Sequence, residues 1–202
     1  MQVILHNIGK KFGTKWILRN QNFSFESGRH YAITGRNGSG KSTLLLMLAG
    51  YITPTSGKIE WNCNNQSIPV EKVHSHIAIA SPYLELVENF SLIETLEFQS
   101  KFKPYLPHLG VDKLLELSGL KDAGKKPLKY FSSGMKQRVK LLLALASAAN
   151  LVLLDEPCSN LDNQAIQWYQ NLKQELGINR SVIVCSNHNS HEYPEVEGIL
   201  SI

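Results

Sequence analysis

The run HYAITGRNGSGKS constrains this chain more than any other part of it. A short apolar stretch, read as a β-strand, passes directly into a glycine-rich loop. Lys41 then opens an apolar helix over residues 41–49, which Gly50 ends. Residues 35–42 satisfy the pattern G-x-x-x-x-G-K-[ST] at every fixed position. Gly35, Gly38 and Gly40 let the backbone turn so that several N–H groups face inward, beside Asn37 and Ser39, and the helix adds its positive end. Lys41 can reach β- and γ-phosphates, the Ser42 hydroxyl can ligate Mg²⁺, and Thr43 can touch an α-phosphate. A bare glycine-rich turn would need neither the strand before it nor the helix after it.

The surroundings of this loop are those of an α/β protein. Apolar strands at IAIAS, NLVLLDEP and SVIVCS alternate with helical segments, which implies a parallel sheet. VILHNI and NFSFE, with the polar NQN expected to turn between them, and GKIEWN read as a smaller N-terminal β portion. Residues 83–131 carry helical spacing at SLIETLEFQSKF and VDKLLELSGL and no convincing strand, so they read as an inserted helical subdomain. The expectation is one domain over 1–202, with a nucleotide-binding core at 1–82 and 132–202. No apolar run approaches the roughly 18–20 residues of a spanning helix, and the N-terminus lacks the pattern of a signal peptide. Three scattered cysteines form no disulfide framework or paired metal spacing. A net charge of +4 is mild for a nucleic-acid binder, and none is expected as a partner.

LVLLDEP supplies a second half to the nucleotide site. Its apolar residues bury a strand, and Asp155 and Glu156 emerge at the carboxyl end, where ligands bind in such sheets. Asp155 suits Mg²⁺, and Glu156 suits orienting or deprotonating an attacking water. His74 and His76 are expected as solvated hairpin residues and not as a metal pair.

FSSGMKQR, residues 131–138, separates the possible families. It resembles the signature segment of ABC transporter ATPase domains, usually Leu-Ser-Gly-Gly-Gln or Leu-Ser-Gly-Gly-Met followed by Lys-Gln-Arg. Ser133 stands where that segment has its first glycine. SNLD at 159–162 looks like the family's D-loop, His188 in VIVCSNH sits at the place of the switch histidine, and Phe12 in KKFG sits where an aromatic stacks on adenine. The resemblance covers nearly the whole chain and implies a P-loop ATPase that binds ATP and Mg²⁺. It also implies a head-to-tail homodimer or heterodimer, in which Ser132, Ser133 and Gly134 of one copy face the γ-phosphate held by Lys41 of the other. An integral membrane permease subunit is the implied further partner, and the implied location is cytoplasmic, at the inner face of the cell membrane. The compact form suggests a short exporter-type ATPase.

The chain departs from this family at one point. Ser81 or Pro82 occupies the place of a glutamine that touches Mg²⁺, and Glu85 is the nearest group able to reach metal. The rival expectation is a soluble ABC ATPase acting on nucleic acid or ribosomes, although coiled-coil arms and a tandem second ATPase domain are missing from the sequence. A P-loop kinase would leave FSSGMKQR without a role.

Overall fold

The computed structural model describes residues 1–202. β1 (Gln2–Phe12) and β2 (Lys15–Phe25) make a long antiparallel hairpin. After β3 (His30–Thr34), β4 (Ser56–Cys63) and β5 (Gln66–Ile68) extend that hairpin into a sheet of order β2-β1-β4-β5. The turn of the hairpin is at Gly13 and Thr14, since Phe12 pairs with Lys15. The asparagines expected to form it lie inside β2. There Asn22 Oδ1 accepts from the Asn7 N–H at 2.8 Å, and Asn22 Nδ2 donates to Asn7 Oδ1 at 2.8 Å. Asn7 and Asn20 take φ of 50° and 51°, so these side chains stitch irregularities in the pairing. Polar composition signalled a break in regular pairing but not its kind.

The second sheet is wholly parallel. It comprises β6 (Ile77–Ala80), β7 (Leu151–Asp155), β8 (Ser181–Ser186), β3 and β9 (Gly198–Ser201), in the order β6-β7-β8-β3-β9. Alternate residues feed opposite faces. Leu151, Leu153, Ile183 and Cys185 pack toward the antiparallel sheet and α1 (Lys41–Leu48). Val152, Leu154, Val182 and Val184 pack toward α5 (Ser133–Ala146) and α6 (Asn163–Leu176). Burial on both faces is what makes these strands continuously apolar in the sequence.

Of the other helices, α2 (Val70–His76) precedes β6, while α3 (Leu92–Phe102) and α4 (Val111–Ser118) lie within residues 83–131, the stretch expected to be helical, and turns make up much of the remainder. Ser91 and Glu94 form a capping box at the start of α3: Ser91 Oγ accepts from the Glu94 N–H, and the Glu94 carboxylate accepts from the Ser91 N–H at 2.7 Å. Leu92, Leu96, Leu114 and Leu128 share one apolar core with Val139, Leu141 and Leu142 of α5. The inserted segment thus packs on α5. His74 and His76 lie on α2 and not in a hairpin, because Val73 anchors a helical turn there; His76 Nδ1 lies 3.0 Å from Asn150 Oδ1.

Candidate nucleotide site

Four adjacent strands of the parallel sheet end along one edge, the edge at which α/β sheets bind ligands. β3 ends at the glycine-rich loop, β7 at Asp155 and Glu156, β8 in the turn bearing His188, and β6 at Ser81. Strand order, not sequence order, assembles these four groups.

The loop enters α1 through Gly40 at φ 110°, where a Cβ would strike the Ile17 side chain at 2.7 Å. Only glycine fits both constraints. Lys41 is buried, and its ammonium donates to the carbonyls of Gly35 at 3.0 Å and Arg36 at 3.1 Å. It therefore lies curled across its own loop. Ser39 Oγ is buried there without a hydrogen-bond partner, a donor and acceptor aimed into the loop. Phe12, Asn37, Lys41, Ser42, Tyr83 and Glu156 line a cleft of about 450 Å³, together with Gly38, Gly40 and Thr43. Phe12 is 51% exposed and carries the Lys10 ammonium 5.1 Å from its ring centre, leaving ring surface open to the cleft. Tyr83 was not anticipated from the sequence, since a tyrosine after a proline carries no signal of its own.

Asp155 is buried, and burial raises its pKa above the usual carboxylate range, opposed by a hydrogen bond from Ser42. Ser81 Oγ donates to Asp155 Oδ2 at 3.5 Å, whereas Asp155 Oδ1 is buried with no partner. A free carboxylate oxygen beside a serine hydroxyl is a hard-oxygen pair of the kind Mg²⁺ takes. The donor set thus fits the metal, with Ser42 and Asp155 as the residues that would hold it. Ser81, and not Pro82, is the residue of the departing segment that faces this carboxylate.

Glu156 holds φ 45°, fixed by its N–H donating to the Cys185 carbonyl at 2.9 Å. Ser159 Oγ donates to its carboxylate at 3.4 Å. His188 is exposed with φ 57°, in a turn pinned where the Asn189 N–H donates to Ser186 Oγ at 3.1 Å. It does not line the cleft. Glu192, which sequence reading passed over, is buried and accepts from the Cys158 N–H at 3.2 Å; burial raises its pKa too.

Ser132, Ser133 and Gly134 lie elsewhere, in a separate cleft of about 280 Å³ shared with Arg138, Asn160 and Asp162. Ser132 caps α5 by accepting from the Met135 N–H at 3.2 Å. At Gly134 a Cβ would stand 2.8 Å from the Asn160 carbonyl, so the helix start and the 159–162 loop touch backbone to backbone. The Arg138 guanidinium stacks over Trp168, 4.5 Å from the ring centre. The starts of α1 and α5 therefore line two separate clefts of one chain.

A parallel sheet, a phosphate loop after β3 opening α1 and an acidic pair ending β7, one strand removed across β8, define a P-loop nucleotide hydrolase. The family model described as "ABC transporter" matches residues 18–159, and the chain belongs to that family of ATPases. It is 31% identical to the lantibiotic transport ATP-binding protein SrtF of Streptococcus pyogenes, over 91% of this chain and 79% of that one. It is 30% identical to the bacitracin transport ATP-binding protein BcrA of Bacillus licheniformis, covering 96% of this chain and 63% of that longer one. Among solved structures, the dimeric post-hydrolysis state of the ATP-binding cassette MJ0796 bound to ADP and Pi superposes with a TM-score of 0.83 at 24% identity. That match covers 99% of this chain and 94% of that one. No helix of this chain is long and apolar enough to cross a membrane.

Proposed function

We propose that this chain is the ATP-binding subunit of an ABC transporter, hydrolysing Mg·ATP at composite sites of a head-to-tail dimer and powering a separate membrane subunit. One observation carries the reading: the Lys41 loop and the Ser132–Gly134 helix start occupy different clefts of one chain. The second cradle has no phosphate to meet unless another copy, or a paralogous chain, presents one. Dimeric cassettes among the structural neighbours support the arrangement.

In this reading the Lys41 ammonium leaves the Gly35 and Arg36 carbonyls for the β- and γ-phosphates, and loop N–H groups hold the remaining oxygens. Phe12 offers its exposed face to the adenine. Glu156 accepts a proton from water as the water oxygen bonds to the γ-phosphorus and the bond to the ADP oxygen breaks. His188, free in its turn, hydrogen-bonds the γ-phosphate and reports its presence. Ser42 and Asp155 would hold Mg²⁺, which would supply charge neutralisation to the phosphates. With γ-phosphate shared across the interface, its loss loosens the dimer.

A groove of about 300 Å³ between the end of β6 and helices α3 and α5 suits a cytoplasmic helix of the membrane subunit. Tyr51, 60% exposed, and Leu84, 40% exposed, offer apolar surface there, with Glu85 and Lys140 as polar neighbours. The chain then works at the cytoplasmic face of the membrane. Relatives named for lantibiotic and bacitracin transport support transport of such antibiotics as the task.

Glu156→Gln tests the composite site. It is expected to bind Mg·ATP, to hydrolyse it at least ~10²-fold more slowly, the scale of a lost general base, and to accumulate as a dimer in ATP. Light scattering reads the dimer. A strict monomer at high protein concentration overturns the composite site.

A further inference from the structure

Lys140 occupies the second turn of α5, on the helix whose first residues form the second cradle. Its ammonium donates to the carbonyl of Pro82 at 3.0 Å and to that of Ser81 at 3.4 Å. Glu85 is close enough to attract it and Lys136 to repel it, while Lys136 itself pairs with Glu88. A lysine serving only to balance charge would bridge to Glu85, yet no ion pair joins the two. Lys140 instead grips backbone.

The gripped backbone is a small turn with two other outputs. The Leu84 N–H donates to the Ser81 carbonyl at 3.2 Å, and the Tyr83 N–H donates to Ser81 Oγ at 3.4 Å, so residues 81–84 form one internally bonded unit. From that unit Ser81 Oγ reaches Asp155 Oδ2, and the Tyr83 ring lines the nucleotide cleft. A single turn thus presents a hydroxyl to the buried carboxylate, an aromatic ring to the nucleotide and two carbonyls to α5.

We propose that Lys140 is a positioning residue: it straps the signature helix α5 to the 81–84 turn, and through Ser81 sets the Asp155 carboxylate, so that the two cradles of one chain move together. The proposal rests on the composite-site reading above. Displacement of α5 by nucleotide bound in the partner copy is transmitted through three contacts to the carboxylate of this copy's own site. The Lys140 strap itself touches no phosphate, so its loss acts on the orientation of the bound complex more than on nucleotide affinity, which the loop chiefly sets.

The test compares steady-state ATP hydrolysis by the full chain carrying Lys140→Met, Lys140→Arg, Ser81→Ala and the Lys140→Met/Ser81→Ala pair. Lys140→Met keeps the stem and removes the donor. It is expected to lower kcat about tenfold, within the range that small misplacements of reacting groups cost, with KM for ATP changed less than about twofold. Lys140→Arg restores most of the rate, because a guanidinium also donates to two carbonyls. Ser81→Ala gives a similar fall in kcat. The pair is no slower than the slower single variant, since both changes cut one route. A Lys140→Met kcat within about twofold of the parent, additive losses in the pair, or a loss that Lys140→Arg does not recover each overturns the strap. Failure of the composite-site reading has a different signature: the Glu156→Gln protein stays monomeric in ATP whatever stands at position 140.

Discussion

Asp155 shows most directly what a single residue costs and supplies. Burial, above all, lifts its pKa, with the hydrogen bond from Ser42 acting against it. The folded protein therefore holds that proton more tightly than the unfolded chain does. Stability from this source is present below the ordinary carboxylate pKa and is lost as pH rises through the raised one. The native fold thus buries a carboxyl group with one oxygen unpartnered, and its ionisation is disfavoured there. Asp155→Asn keeps an oxygen for the Ser42 hydroxyl and removes the charge. We expect it to melt a few degrees above the parent at neutral pH, with the advantage shrinking on acidification through the carboxylate range and with hydrolysis lost. Thermal denaturation without nucleotide, followed across that range, reads the effect. A lower melting point than the parent at neutral pH would remove burial as the cause. Asp155 and Lys41 were legible from local pattern alone; the orphaned oxygen was not, because it depends on which strands are neighbours.

At the scale of elements, the starts of α3, α5 and α6 are written locally and the ends of α5 and α6 are not. Ser91, Ser132 and Asp162 each cap a helix from within three residues. The ends of α5 and α6 are instead finished by Arg180, from the approach to β8. Its guanidinium donates to the Leu145 carbonyl at 2.6 Å, to that of Ser147 at 2.7 Å and to that of Leu176. No carboxylate accompanies it. The partial negative charge of two helix ends serves in its place, and although burial pushes its pKa down to about 10, it remains charged at neutral pH. Arg180→Met leaves three carbonyls without this donor and is expected to cost about 3 kcal/mol of stability, the sum of two or three charge-assisted bonds less the burial of the stem. Urea denaturation measures it, and a loss below about 1 kcal/mol would mean that the carbonyls find other donors. Nothing in the sequence around Arg180 marks it for this duty. Its partners come from two helices that only the fold brings side by side.

For the whole molecule, the exposed aromatic ladder on the inserted segment is the main unpartnered feature outside the two clefts. Phe90 meets Phe98 with ring centres 5.4 Å apart, and Phe98 meets Phe102 at 4.8 Å. Phe102 is 72% exposed. Apolar surface of this kind beside a groove marks an interaction site, and a membrane subunit is the occupant proposed here. Recovery of the tagged chain from detergent-solubilised membranes of its own cells is expected to bring one integral membrane protein with it in a fixed ratio. Recovery with ribosomes or nucleic acid, and with no membrane protein, would favour the rival ATPase of the same family.

The sequence by itself determined the phosphate loop, the acidic strand end, the signature helix and the helical character of residues 83–131. In each, the residues that matter lie within a few positions of one another, so their spacing carries the geometry. The tertiary structure alone decided which groups meet across distance. Ser81 and Asp155 are 74 positions apart, and Lys140 and Pro82 are 58 apart. These contacts follow from β6 lying beside β7 and from α5 packing over both, and strand order in a parallel sheet is set by how the faces bury against the helices. The same cause moved the first hairpin turn from the asparagines to Gly13 and Thr14: pairing along eleven-residue strands favoured one register, and the asparagine side chains absorbed the irregularity it left.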